Sequence, residues 1–313
     1  MAPTLPFFSR GEALLLWSRW AVKISIVTPS LNQAVFVERT LQSVLSQGYE
    51  DMEYVVCDGG SADRTVEILK TYDEKLRWSS QPDNGQADAV NQGIMATTGD
   101  IIGWLNSDDI YYPGALRKIA DYFSAHSDID VVYGMADHIG LDDRPFEPYP
   151  TEPWSLGRLQ ETCFICQPAT FFRRSVVAKC GLLDPRLRYC MDYEYWLRLG
   201  ATGVKFGYLP SKLAGSRMYA ENKTLGSRVS VHAEINTMFR RSFGRVPDRW
   251  LYNYAHVLVE QSLKRSENPV QFVHEVGKHS ILASLRWNRR ISGNMLKEAI
   301  RWSRSILTQP RRA

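Results

Sequence analysis

The chain has 313 residues, 44% hydrophobic and 23% charged, a composition that excludes a wholly disordered or collagen-like protein. Lys and Arg number 38 against 34 Asp and Glu; the net charge of +4 is too mild to point to nucleic acid as the main partner. Five cysteines (57, 163, 166, 180 and 190) form an odd, sparse set that suits buried thiols in a reducing cytosol, and Cys163 and Cys166 have no second C-x-x-C pair to complete a zinc site.

No stretch reaches the roughly 20 apolar residues of a membrane-spanning helix. The nearest, Ala13–Trp17, is short and closely followed by Arg19, so a cleaved signal is not favoured and residues 1–21 read as a short arm. Strands and helices alternate from there. Val22–Thr28 is β-branched and ends at Pro29, the pattern of a buried strand. Val37, Leu41, Val44 and Leu45 recur at helical spacing, and Gly48 ends that helix. Glu53–Cys57 is a second strand, with the turn Asp58-Gly59-Gly60-Ser61 after it and a helix carrying Val66, Leu69 and Tyr72. A short strand near Leu76–Ser80, a helix over Asp88–Thr97 and a strand over Asp100–Leu105 follow. Pro113 suits the first turn of the next helix, with Leu116, Ile119 and Phe123 inward, and Asp130–Tyr133 is a further strand.

This βαβα alternation predicts an α/β fold with a doubly wound, mostly parallel sheet, which binds ligands outside the carboxyl ends of its strands. Thr28, Asp58, Asn106, Asp108 and Asp109 fall at those ends. A proline-rich crossover, Pro145–Pro150, opens the second part. Ala169–Phe172 reads as a strand, Tyr193–Ala201 as a helix, and Val204–Leu209 and Lys212–Tyr219 as two strands joined at Pro210-Ser211. Beyond Glu221 the spacing predicts helices over Ser227–Phe243, Arg249–Ser266, Val270–Leu285 and Gly293–Ile306.

The chemistry centres on Trp104–Asp109, where an apolar strand delivers two adjacent carboxylates into a turn. Hard divalent cations take such oxygen ligands and share them with substrate phosphates. Taken singly, Asp108 also reads as a turn or helix cap, and Asp58-Gly59-Gly60-Ser61 as an ordinary turn. The combination is more specific. Ile26–Asn32, Asp58–Thr65, Asp83–Gly93, Asn106–Asp109, Gln167–Arg173 and Met191–Leu199 occur in that order. With these blocks, residues 22–220 resemble the family-2 glycosyltransferases of the GT-A fold.

The resemblance implies roles. Thr28 and Pro29 would line the nucleotide pocket, Asp58 would accept from the base, typically uracil N3–H, and Asp88 would sit near the base and diphosphate. Gly85 and Gly93 would allow close backbone approach. Asn106 would bond the ribose, Asp108 would hold Mn2+ or Mg2+, and Asp109 would support the turn or bind the metal through water. Asp192, in Met191-Asp192-Tyr193, would be the base that takes the acceptor hydroxyl's proton, with Glu194 the runner-up and Gln167 on the acceptor side. Asp192 reads otherwise as an N-cap, and Trp196 as core. The turn departs from the family by opening with Asn106 instead of Asp, and Tyr219 stands where some members carry a His ligand. Arg217 and Lys223 would then assist with phosphate charge.

No G-x-G-x-x-G fingerprint, Walker loop or nucleophile elbow is present, and the six His residues lack metal-ligand spacing. From Arg286 to Ala313, eight basic residues and one acid, Glu298, interleave with Trp287, Ile291, Leu296 and Trp302. That pattern reads equally as a membrane-surface element or a helix packed on the body with a basic face. The expected organisation is an arm (1–21), a GT-A domain (22–224) and a helical C-terminal extension (225–313). The expected protein is a metal-dependent inverting transferase that takes a nucleotide-sugar, most simply a UDP-sugar, to a glycan or lipid-linked acceptor in surface polysaccharide synthesis. Its expected place is cytoplasmic or peripheral at the inner face of the membrane. The alternatives are a non-catalytic nucleotide-sugar-binding protein with a decayed metal site and a nucleotidyltransferase, though the basic, Gly-rich loop of the latter is missing after the first strand.

Overall fold

A computed structural model describes residues 22–220, 222, 226–298 and 301. The expected arm, Lys223 and the tail from residue 302 onward lie outside the described residues. The chain forms two compact units. The first takes the described residues up to Leu156, then Phe164–Arg188 and Tyr195–Met218; the second takes Gly157–Cys163, Tyr189–Glu194 and the described residues from Tyr219 onward.

The first unit opens with β1 (Ile24–Ser30), α1 (Val37–Leu45), β2 (Met52–Asp58), α2 (Thr65–Lys70), β3 (Arg77–Ser80), α3 (Gln86–Met95) and β4 (Ile101–Trp104). Next come β5 (Ile110–Tyr111), α4 (Ala115–Ala125), β6 (Val131–Ile139) and β7 (Pro145–Pro148). In chain order α5 (Leu156–Glu161), of the second unit from Gly157 onward, β8 (Thr170–Arg173), α6 (Arg174–Cys180) and α7 (Met191–Ala201), of the first unit only from Tyr195, then precede β9 (Phe206–Arg217), which ends the first unit. The sheet order is β3-β2-β1-β4-β8-β6-β9-β5, with β7 on β6. The β3-β2-β1-β4 half is parallel, as the alternation predicts. Beyond it β8 runs antiparallel to both β4 and β6, and β9 is parallel to β6.

Every residue of β1 is buried, as expected of a central parallel strand covered on both faces. Helix α1 buries Val37, Thr40, Leu41 and Val44, one helical stripe. Helix α4 begins at Ala115 behind a left-handed Gly114, so Pro113 precedes the helix instead of opening it. The two strands expected over 204–219 are one. Leu209 pairs with Gly134 and Lys212 with Met135, leaving Pro210 and Ser211 without a partner on β6. That bulge absorbs a proline that has no N–H to donate. Gly93 serves helix-on-strand contact: a Cβ there would lie 2.2 Å from Val27 Cγ1.

The second unit carries α8 (Arg228–Phe243), α9 (Asp248–Val259) and α10 (Pro269–Asn288), then a helical run over residues 293–298. Among the described residues no helix is long and apolar enough to cross a membrane.

Glu53 ties the amino ends of the parallel strands. It accepts from Ser25 Oγ (2.8 Å), Lys23 Nζ (2.9 Å), the Thr98 N–H (2.7 Å) and the Gly99 N–H (3.2 Å). Burial opposes its ionisation, but the Thr98 N–H, Lys23, Ser25 and the Thr98 hydroxyl outweigh it and hold the carboxyl far below the usual range. A carboxyl depressed in the fold stabilises above its unfolded pKa of about 4.3 and loses that contribution as pH falls further. Urea titrations should therefore show the wild type losing about 1–2 kcal/mol more than Glu53→Gln between about pH 5 and pH 3; parallel acid limbs would remove this role.

Candidate active site

The strand order reverses at β1, which has β2 on one side and β4 on the other. Ser30 is in register with Asp58, and Val27 with Trp104. The Asp58–Ser61 turn and the Asn106–Asp109 turn therefore flank the carboxyl end of β1, where doubly wound sheets bind ligands.

Asp58 is buried. Its Oδ2 accepts from the Gly60 N–H (3.2 Å), the Ser61 N–H (2.8 Å) and Ser80 Oγ (2.6 Å), while Oδ1 accepts only from Ser61 Oγ (2.5 Å) among the described residues. A carboxylate oxygen has room for one more donor there. Ser30, which sequence reasoning passed over, is buried with an Oγ that has no hydrogen-bond partner among the described residues. A buried hydroxyl without a partner is costly unless something fills it. Thr28 points its hydroxyl inward, 3.1 Å from Tyr54 Oη, and Pro29 is buried in register with Cys57. Asp88, in the first turn of α3, holds the preceding loop: its Oδ2 accepts from the Asn84 N–H (3.0 Å), Asn84 Nδ2 (3.1 Å) and Gln92 Nε2 (3.3 Å).

Asn106 is the centre of a closed network. Its Oδ1 accepts from Trp104 Nε1 and Gln86 Nε2, both at 2.8 Å, and its Nδ2 donates to Gln167 Oε1 (3.0 Å) and Asp109 Oδ2 (3.3 Å). An amide has two donors and two lone pairs, so a ribose hydroxyl at Asn106 would displace one of these partners. Gln167, expected on the acceptor side, is buried in this network and donates to the Trp104 carbonyl.

Of the two adjacent carboxylates, Asp108 is half-buried and Asp109 buried. Burial, and next the charge of Asp108, push the Asp109 carboxyl well above the usual range, against the Arg217 N–H and the Asn106 amide that favour its ionised form. Thr40 Oγ1 holds the Asp109 carbonyl at 2.7 Å. The side chain of Arg217 is 0% exposed. Its N–H reaches Asp109 Oδ1 (2.8 Å), Nε the Asp108 carbonyl (2.6 Å), Nη1 the Gly140 carbonyl (2.6 Å) and Nη2 Asp143 Oδ1. The guanidinium also lies 4.8 Å from the Phe36 ring centre. Arg217 is thus engaged in bracing the turn, and a phosphate contact would have to replace these bonds. Sequence spacing carries no signal for this brace, because its partners are some 70–110 residues away.

Among the described residues no three His, Cys, Asp or Glu side chains gather around a common point. A cation here would therefore have to share its ligands, with one carboxylate at Asp108 and the rest from phosphate and water, as Mg2+ commonly accepts.

Asp192 and Glu194 belong to the second unit. Helix α7 begins at Met191, two residues earlier than expected, so Asp192 lies in its first turn and is not the N-cap. Asp192 is half-buried, whereas Glu194 is buried. Glu234 on α8 accepts from the Tyr189 N–H (2.7 Å) and the Cys190 N–H (2.9 Å) just before the helix. Tyr193 donates to the Leu159 carbonyl and rests against Phe239 and Trp250. In the first unit Trp196 packs against Phe172 and Tyr195 as core. Tyr219 falls in the second unit.

Residues 25–181 match the profile described as Glycosyl transferase family 2. An uncharacterized glycosyltransferase of Mycobacterium tuberculosis is 34% identical over 184 residues, covering 57% of this chain and 69% of that protein. A PGL/p-HBAD biosynthesis glycosyltransferase of Mycobacterium bovis is 31% identical over 183 residues, covering 57% and 70%. An uncharacterized glycosyltransferase of Rickettsia typhi is 28% identical over 199 residues, covering 59% and 61%, and the match spans only 41% of a Rickettsia felis relative. Among solved structures, Staphylococcus aureus TarS in complex with UDP-GlcNAc superposes with a TM-score of 0.60 at 15% identity, covering 91% of this chain and 90% of that one. The mannosyltransferase PcManGT of Pyrobaculum calidifontis, in complex with GDP-Man and Mn2+, gives 0.54 at 15% identity, covering 96% and 89%. These likenesses establish the GT-A fold.

The brace has a measurable consequence. Arg217→Lys keeps the charge but not the fork, and should lower unfolding stability by about 2–4 kcal/mol through acceptors left without donors. An unchanged urea midpoint would show that the turn holds without it.

Proposed function

The chain belongs to glycosyl transferase family 2, and from that premise we propose that it moves a sugar, with inversion, from a nucleotide-diphospho-sugar to a glycan or lipid-linked acceptor in surface polysaccharide synthesis. The observation that carries this reading is the meeting of Ser30, Asp58 and the Asn106–Asp109 turn at the carboxyl end of β1. The unpartnered Ser30 hydroxyl and the remaining acceptor capacity of Asp58 Oδ1 suit a base edge that offers one N–H, which favours a UDP-sugar. TarS is in complex with UDP-GlcNAc and PcManGT with GDP-Man, so the preference for uridine rests on this chain's own residues. The nucleotidyltransferase alternative is set aside by the family match.

Asp108 would hold the cation together with the donor's phosphates, with Asp109 fixed behind it by Arg217 and Asn106. A divalent cation supplies charge neutralisation for the departing nucleoside diphosphate. Asp192, placed by its motif and half-buried where Glu194 is buried, would accept the proton of the acceptor hydroxyl as that oxygen attacks the anomeric carbon. The bond to the diphosphate oxygen breaks in the same step. Peripheral attachment at the inner face of the membrane would suit a lipid-linked acceptor.

Thermal shifts with UDP, GDP, CMP and dTDP, each with and without Mn2+, test the donor site. Ligand at about 100 times its Kd stabilises by about 2.7 kcal/mol, so UDP with Mn2+ should raise the melting temperature clearly. Asp108→Ala should abolish the Mn2+-dependent part. A preference for another nucleotide would change the donor class, and no shift with any of them would refute the donor site. Asp192→Asn should keep nucleotide binding and lower transfer at least about 100-fold; near-normal turnover would move the base to Glu194.

A further inference from the structure

Helix α10 buries Phe272, Val276, Ser280, Ala283, Ser284 and Trp287. The face at the complementary spacing exposes Lys278, Leu282, Leu285, Arg286 and Arg289. Leu282 is 50% exposed and Leu285 47%, on a face that a surface helix normally fills with polar residues. Beyond it, in the helical run over residues 293–298, Met295 is buried while Leu296 is 47% exposed.

The charge around these leucines is one-sided. Residues 286–301 contain Arg286, Arg289, Arg290, Lys297 and Arg301 against one acid, Glu298, which pairs with Arg301 at 2.9 Å. Arg286 lies over the Trp287 ring at 4.6 Å, and Arg289, Arg290 and Lys297 enter no ion pair among the described residues. Two to three turns earlier the balance is different. Glu275 pairs with Lys278 at 3.4 Å and lies 3.6 Å from His274 and 3.8 Å from His279. The unbalanced positive charge therefore coincides with the exposed leucines.

We propose that the end of α10 and the helical run after it form a docking face for the surface of an anionic lipid bilayer. Leu282, Leu285 and Leu296 supply apolar contact, and Arg286, Arg289, Arg290 and Lys297 supply attraction for lipid phosphates. Interfacial elements combine these two features. Charge alone would serve a soluble polyanion and would leave the leucines unexplained. A second copy meeting this face would bring its own basic groups against these, which repel. The inference is independent of the donor nucleotide, and it gives the transferase of the proposed function a route to lipid-linked acceptors.

Flotation of the full chain with phosphatidylcholine vesicles, with and without phosphatidylglycerol, tests it without any transfer assay. Binding should be at least about tenfold stronger to the anionic vesicles and should weaken as salt is raised. Leu282→Ser/Leu285→Ser and Arg289→Gln/Arg290→Gln should each reduce it about tenfold or more. Circular dichroism melts matching the wild type would confirm that both variants are folded, since all four side chains are exposed. Absence of binding, equal binding to neutral vesicles, or full binding by both variants overturns the proposal. So does concentration-dependent self-association that disappears in the leucine variant while vesicles are ignored, which assigns the face to a second copy.

Discussion

Asn106 has two amide protons and two carbonyl lone pairs, and all four are used: by Trp104, Gln86, Gln167 and Asp109. These partners come from the end of β4, the first residue of α3, the turn before β8 and the carboxylate pair itself. A mostly buried polar network stabilises a single arrangement only when every member is satisfied, and here the amide fixes three elements around one turn. Arg217 does the same from the other side, holding the Asp108 carbonyl and the Asp109 carboxyl. The two together make adjacent carboxylates tolerable. The buried Asp109 faces the neutral Asn106 amide and the Arg217 N–H, and Asp108 is the half-buried member. An aspartate at 106 would set another acidic oxygen where Asn106 Nδ2 now lies 3.3 Å from Asp109 Oδ2. Asn106 thus replaces a repulsive contact with a hydrogen bond.

The parallel half of the sheet is readable from the sequence because β1, β2 and β4 are largely apolar runs bounded by turn residues. The second half is less so. Pro210 reads as a break, yet the bulge lets β9 continue past it. The site residues divide in the same way. Asp58, Asp108 and Asp109 are visible as polar residues at strand ends. Ser30 is not, since serine after a strand is unremarkable until its hydroxyl proves buried without a partner. Gly93 was legible as a required glycine but not for the right cause, which is contact with Val27 and not approach to a ligand. Arg217 looked like a free cation because a sequence does not show which carbonyls will surround it.

The family-matched segment ends at residue 181. It contains Ser30, Asp58, Asp88 and the Asn106–Asp109 turn, but not Arg217, which braces that turn from β9. The matched segment therefore leaves out both this brace and the Met191–Leu199 block. The Mycobacterium tuberculosis relative matches over 57% of the chain, whereas the fold likeness to TarS extends over 91%.

The two ends of the sheet are modest. One edge is β3, four residues that are exposed except for the half-buried Trp78, with Arg77 turned back onto the Ala96 carbonyl at 3.0 Å. The other is β5, only two residues long. An open sheet of many strands would otherwise offer long rows of unpaired amides to any extended chain nearby. At these two ends a neighbouring polypeptide finds only four residues of template on β3 and two on β5. Ends this short limit how far the ladder could be carried on from them by another copy of the chain.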